Sequence, residues 1–99
     1  MTSKQRAYLR SLANPIEAIF QIGKGGIHDN LVKQVKEALE ARELIKISVL
    51  ETAPDGVREL AEEIASKTGA IVVQTMGSKI TLYKARKKDP KIVLPAPKK

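Results

Sequence analysis

Apolar residues recur along this chain with two different periods, and the changes between them mark seven elements. Three segments space their apolar residues three or four positions apart, as amphipathic helices do: residues 3–13, the stretch after Asp29 and the stretch after Pro54. Four segments are short apolar or alternating runs, as strands are: 18–22, 44–50, 70–75 and 80–84. The predicted order is therefore α-β-α-β-α-β-β.

Turn and capping residues support these boundaries and suggest how the strands pair. We expect Ser3 to cap the first helix, Asp29 or Asn30 the second, and Gly69 to end the third, which Pro54 and Asp55 open. Two strand–helix–strand passages favour parallel pairing, and a tight hairpin at 76–79 adds an antiparallel strand. The predicted fold class is α/β, with a four-stranded mixed sheet.

Length and composition restrict the class of protein. The 99 residues suit a single domain, and the absence of cysteine excludes disulfides, thiolate metal sites and cysteine nucleophiles. The basic N-terminus has no apolar run behind it, and aliphatic runs such as 70–73 are too short to span a bilayer. We therefore expect a cytoplasmic protein that is neither exported nor membrane-spanning.

The net charge of +7 is distributed unevenly. Residues 84–99 hold seven basic residues and one acidic residue, so we divide the chain into a domain over 1–85 and a flexible, basic, proline-containing tail over 86–99. Residues 1–36 hold six bases and two acids, whereas residues 37–83 hold five bases and eight acids. The basic half of the domain contains the most unusual local sequence, a glycine-rich turn.

That turn, Gly23-Lys24-Gly25-Gly26, joins the first strand to the second helix. It lacks the Gly-Lys-Ser/Thr ending of a P-loop, and a dinucleotide fingerprint beginning at Gly23 would need a third glycine where His28 stands. The remaining pattern is G-x-x-G, by which KH-type domains clamp a nucleic-acid backbone. A turn kept only for its backbone geometry is the alternative.

The sequence offers little material for catalysis or metal binding. His28 is the only histidine, and we assign it to the helix entry or to solvent. The acidic residues Glu59, Glu62 and Glu63 fall on the outer face of the third helix, where solvated charges are ordinary. We expect no enzyme activity, no cofactor and no metal.

Four stretches together closely resemble the CRM domain, the chloroplast RNA splicing and ribosome maturation domain: residues 4–10, 21–27, 38–46 and 69–74. The resemblance covers residues 2–85 in order, and a single copy looks like the bacterial YhbY-like proteins. It implies an RNA-binding module with a fold similar to the C-terminal domain of bacterial translation initiation factor three. It also implies association with precursors of the large ribosomal subunit.

The resemblance and the charge pattern together give the predicted RNA-binding residues. The family pattern assigns the grip to Gly23, Lys24, Gly25 and Gly26 and a basic surface to Lys4, Arg6 and Arg10; the charge pattern adds Lys33 and Lys36. The chain departs from the family pattern at Arg42, where histidine is frequent, and at Ser78, where a basic residue is common.

The predicted function is non-catalytic binding of structured rRNA by a monomer during assembly of the large (50S) subunit, with the 23S rRNA precursor or pre-50S particle as partner. Loop amides and the second helix would take phosphates, and RNA shape would give selectivity. One alternative is a module that docks a ribosomal protein or assembly factor through its acidic third helix. Another is a binder of, or enzyme for, a small phosphorylated ligand.

Overall fold

The described part of the chain, residues 2–85 of a computed structural model, contains the seven elements in the predicted order. They are α1 (Ser3–Ala13), β1 (Phe20–Ile22), α2 (Asp29–Arg42), β2 (Leu44–Val49), α3 (Val57–Thr68), β3 (Ile71–Met76) and β4 (Lys79–Tyr83). The predicted α/β class with a four-stranded mixed sheet is confirmed. The tail predicted over 86–99 lies outside the described residues. Within residues 2–85, every helix is too short or too polar to traverse a bilayer.

The strand order is β1-β2-β4-β3, which corrects one part of the predicted pairing. β1 and β2 pair in parallel, as expected. β2 and β3 run in the same direction but are separated by β4, which is antiparallel to both. The reason is burial: residues 80–83 of β4 are all buried, whereas Ile71 and Met76 of β3 are exposed. β4, which is buried on both faces, therefore takes the central place, and β3 becomes an edge.

Helices cover both faces of this sheet. Ile45, Ile47 and Val49 of β2 face α2 and α3 in the larger of two apolar clusters, as their alternation predicted. Leu44 faces the opposite side, where it packs with Leu9 of α1 in the smaller cluster. α1 contacts β2, β3 and β4, so the α1 side of the sheet is covered toward the β3 edge.

The helix ends differ from the predicted caps at all three N-termini. Thr2 caps α1 in place of Ser3, and its side chain and that of Gln5 form a reciprocal capping box. His28 caps α2 in place of Asp29 or Asn30, and Gly56 precedes α3, which begins two residues after Asp55 and has no side-chain cap. The predicted role of Gly69 is confirmed, since it ends α3 with a φ of 77°.

Candidate functional site

The glycine-rich turn lies at the end of the sheet where β1 and β2 finish. The Gly26 N–H donates to the Gly23 carbonyl at 2.9 Å and closes a four-residue turn. Lys24 and Gly25 occupy its tip and are exposed, whereas Gly26 is buried. The turn therefore presents one cation and one glycine to solvent.

The three glycines of the turn differ in whether the surrounding structure would accept a side chain. Gly26 has a φ of 65°, and a Cβ on it would lie 3.1 Å from Cγ of Pro54. A Cβ on Gly23 would lie 3.4 Å from Cδ1 of Leu50. At Gly25 a Cβ would meet nothing within 4 Å, and its φ is outside the left-handed region. Gly26 is therefore required by the fold, whereas the packing within residues 2–85 does not require a glycine at 25.

The entrance to α2 adds hydrogen-bonding groups beside the turn. The Nδ1 atom of His28 accepts from the Leu31 N–H at 3.1 Å, so the predicted helix-entry role of His28 is confirmed. Asp29 stands in the first helical turn, where its charge already faces the positive end of the helix dipole. Within residues 2–85, the amides of Lys24 and Gly25 donate no hydrogen bond to another part of the protein. These two amides are better placed to receive an anion than the helix end.

Two predicted cations lie on α2, the helix that follows the turn. Lys33 and Lys36 are exposed and lie three positions apart, so they share one side of the helix. At about 1.5 Å of rise per residue, Lys33 is about 6 Å and Lys36 about 10 Å along the helix from Asp29. Lys33 and Lys36 are thus exposed on the helix that follows the turn holding Lys24.

The predicted cations of α1 lie on the other side of the sheet. One guanidinium nitrogen of Arg6 donates to the carbonyls of Val72 at 2.6 Å and Val73 at 2.9 Å, at the edge strand farthest from β1. Lys4 and Arg10 are exposed on the same helix. These three residues therefore do not form one patch with the glycine turn, and Arg6 has a structural contact of its own.

A second polar surface, absent from the predicted residues, lies on the α1 side of the sheet. It is a groove of about 410 Å³ lined by Ile16, Glu17, Ala18, Gln21, Lys46, Ser48 and Lys79. The alternation of Lys46 and Ser48 with buried residues places both on the side opposite the larger cluster. That alternation was the available signal, but it could not show that α1 leaves this part of the sheet open.

The arrangement suits the binding of anions. Within the described residues, no three histidine or acidic side chains gather as they would around a metal ion. Exposed lysines, free amides and an open glycine can hold a phosphate without forming or breaking a bond.

Comparisons with known proteins agree with the sequence resemblance. The model of the CRS1 / YhbY (CRM) domain matches residues 1–84. A Bacillus subtilis protein named "Probable RNA-binding protein YqeI" is 47% identical over 95 residues, covering 96% of this chain and 99% of the relative. The Methanocaldococcus jannaschii protein named "Probable RNA-binding protein MJ0652" is 34% identical over 101 residues. The match covers 100% of this chain and 75% of that relative. These relatives have the names of RNA-binding proteins and not of enzymes.

A solved structure shows the same architecture. The solution structure of the hypothetical protein SAV1595 from Staphylococcus aureus matches with a TM-score of 0.81 and 49% sequence identity, covering 96% of this chain and 99% of that one. The resemblance given by the four sequence stretches is confirmed. The chain belongs to the CRS1/YhbY (CRM) domain family.

Proposed function

We propose that this protein binds RNA through the tip of the glycine-rich turn and the basic band formed by Lys24, Lys33 and Lys36. Gly25 is the observation that carries the proposal, because it is exposed and the packing around it does not require a glycine. A glycine in open space lets another backbone approach two free amides and a lysine closely. The RNA-binding names of the relatives support the same class of ligand.

The finer target is structured rRNA of the large subunit, bound during its assembly in the cytoplasm by a monomer. This target rests on the resemblance to single-copy members of the family. The surface holds backbone-binding groups rather than a platform of aromatic side chains, so selectivity comes from RNA shape. Residues 86–99, with six basic residues and one acid, add affinity that falls steeply with salt.

The test is RNA binding by the full chain across a salt series, with a fragment of large-subunit rRNA precursor as probe. Gly25→Asp places a carboxylate where the phosphate is expected, and we expect affinity to fall about tenfold or more; Lys24→Gln should cost several-fold. Lys67→Gln on α3 is the matched control, since it removes one exposed cation that is paired with Glu63 at 3.4 Å. It should bind as the wild type does.

Truncation after Ala85 separates the domain from the tail. We expect weaker binding and a flatter salt dependence, with the effect of Gly25→Asp retained in the shortened chain. Full affinity for both turn variants, together with loss of all binding on truncation, would overturn the turn as the binding site. Co-sedimentation with pre-50S particles that survives both RNase and high salt would instead identify a protein-docking module.

A further inference from the structure

The groove on the α1 side of the sheet has a floor that crosses three strands in register. Gln21 of β1 is opposite Ser48 of β2, and Ser48 is opposite Lys79 of β4. The same row continues to Met76 of β3, which is exposed. With strands about 4.8 Å apart, the row spans about 14 Å across the sheet. It is a continuous polar strip that ends in an apolar side chain.

The two lysines of the groove are positioned by the sheet itself. Lys79 donates from Nζ to Oγ of Ser48 at 3.0 Å, which holds its ammonium group over the floor. Lys46 lies two residues before Ser48 and therefore projects from the same side of β2, where it is half-buried. An ammonium group held in this way loses less side-chain entropy when it binds an anion than a free surface lysine does.

One acidic residue faces these cations. Glu17 stands on the groove wall, in the segment that joins α1 to β1. Within the described residues the lining therefore has two positive charges and one negative charge. The net charge of the lining is therefore positive, and removing the Glu17 carboxylate would make it more positive.

The glycine turn lies at the end of the sheet beside the groove. The Leu50 N–H donates to the Ile22 carbonyl at 2.8 Å, and the Val49 N–H donates to the Ser78 carbonyl at 2.7 Å. The turn, the end of β2 and the β3–β4 hairpin therefore meet at one end of the sheet. The row that begins at Gln21 lies directly before this end, two residues from Gly23.

We propose that the groove is a second RNA-contact site, which holds the sugar–phosphate backbone of a single-stranded segment that leaves the glycine turn. Lys46 and Lys79 take phosphates, and the Gln21 amide contacts a sugar or base edge at the β1 end of the row. The inference rests on the proposed function and extends it, because it names the form of RNA that the domain requires. A helical segment at the turn must be followed by an unpaired strand for both sites to be filled.

The main experiment compares two probes, a blunt rRNA hairpin and the same hairpin with a single-stranded extension. The variants are Lys46→Gln with Lys79→Gln, against Arg58→Gln with Lys67→Gln as a control that removes two exposed cations of α3. We expect the groove variant to lose about tenfold in affinity for the extended probe and to flatten its salt slope by about 1.4, or 0.7 per phosphate. Affinity for the blunt hairpin should not change.

Glu17→Gln gives a change of the opposite sign. It removes the negative charge from the groove wall, and we expect affinity for the extended probe to rise about twofold to threefold. A groove variant that binds both probes as the α3 control does, with no effect of Glu17→Gln, would overturn the second site. If the turn variants still lose binding in that case, the proposed function stands without the groove.

The cysteine-free sequence permits a direct measurement of where the RNA lies on the protein. Gln21→Cys, labelled with a short photo-crosslinker, should crosslink to the extension of the probe, whereas Ser66→Cys on the exposed side of α3 should not. Equal crosslinking at the two positions would contradict the proposal. A groove that crosslinks an acidic polypeptide in preference to the RNA extension would also contradict it and would identify a protein partner.

Discussion

Gly26 lies against the ring of Pro54, so that a Cβ at position 26 would be 3.1 Å from Cγ of the proline. This contact joins the glycine-rich turn to the loop between β2 and α3. Gly26 also has a φ of 65°, which disfavours any residue with a Cβ. The second glycine of the G-x-x-G pattern is therefore a folding residue, while its neighbour Gly25 faces open space.

The two adjacent glycines should consequently respond differently to alanine. Gly26→Ala should lower the free energy of unfolding by about 1–2 kcal/mol, because it combines the left-handed conformation with the Pro54 contact. Gly25→Ala should change it by less than about 0.5 kcal/mol. Urea denaturation of the two variants measures the difference. Equal destabilisation by both would show that the turn has a different conformation.

Arg6 should contribute to stability as well as to charge. Arg6→Ala removes the hydrogen bonds to the Val72 and Val73 carbonyls, and we expect a loss of about 1–2 kcal/mol in the free energy of unfolding. Arg10→Ala, an equal loss of charge on the exposed side of α1, should cost less than about 0.5 kcal/mol. Denaturation with amide exchange in β3 measures both. An Arg6 variant as stable as the Arg10 variant would show that the edge contact is energetically neutral.

The His28 side chain should stabilise the protein as the N-cap of α2. His28→Ala leaves the Leu31 N–H without its side-chain acceptor and should lower the free energy of unfolding by about 1 kcal/mol. His28→Asn should restore most of that loss, since asparagine is among the best N-cap residues. Thermal unfolding of the two variants tests this. If asparagine and alanine destabilise equally, the histidine stabilises the turn in another way.

Tyr83 should titrate above its ordinary pKa. Burial raises the pKa of Tyr83 above 10.0, and the negative charge of Glu43 raises it further. The pKa of Tyr83 is therefore higher in the folded state than in the unfolded state. The neutral phenol contributes fully to the free energy of unfolding below pH 10.0, and this contribution is lost as the pH rises through the folded-state pKa. Tyrosinate absorbance of the wild type and of Tyr83→Phe identifies the transition. Glu43→Gln should lower this pKa only in part, since burial is the larger cause. Ionisation at or below pH 10.0 would contradict the buried position.

Local sequence was sufficient to predict the order of the helices and strands and the position of the hairpin. Periodicity placed α1 at residues 3–13, and the tight hairpin predicted at 76–79 is present, with Gly77 and Ser78 between the strands and a φ of 58° at Gly77. The caps were less accurate because neighbouring polar residues compete. Thr2 and Ser3 have the same hydroxyl chemistry, and the backbone conformation at residue 2 selects Thr2. Nothing in the sequence distinguished His28 from the more usual caps that follow it.

Long-range packing decided what the sequence could not. The strand patterns of β2, β3 and β4 allow several orders, and burial on both faces of β4 selected the one that separates β2 from β3. The predicted cations were identified by the family pattern and by charge, without information on where each lies in the fold. Only the fold showed that Arg6 donates to the carbonyls of β3, at the edge of the sheet farthest from β1 and its glycine-rich turn.

By itself the sequence determined the elements, the basic half of the domain, the glycine-rich turn and, through four matching stretches, the CRM family. These depend on residues that are near one another in the chain, where spacing and side-chain chemistry are sufficient. The tertiary structure decided which glycine the fold requires, that Arg6 contacts the edge strand, and that Gln21, Ser48 and Lys79 align across three strands. Those relationships join residues distant in sequence, and only the packing of the helices on the two faces of the sheet determines them.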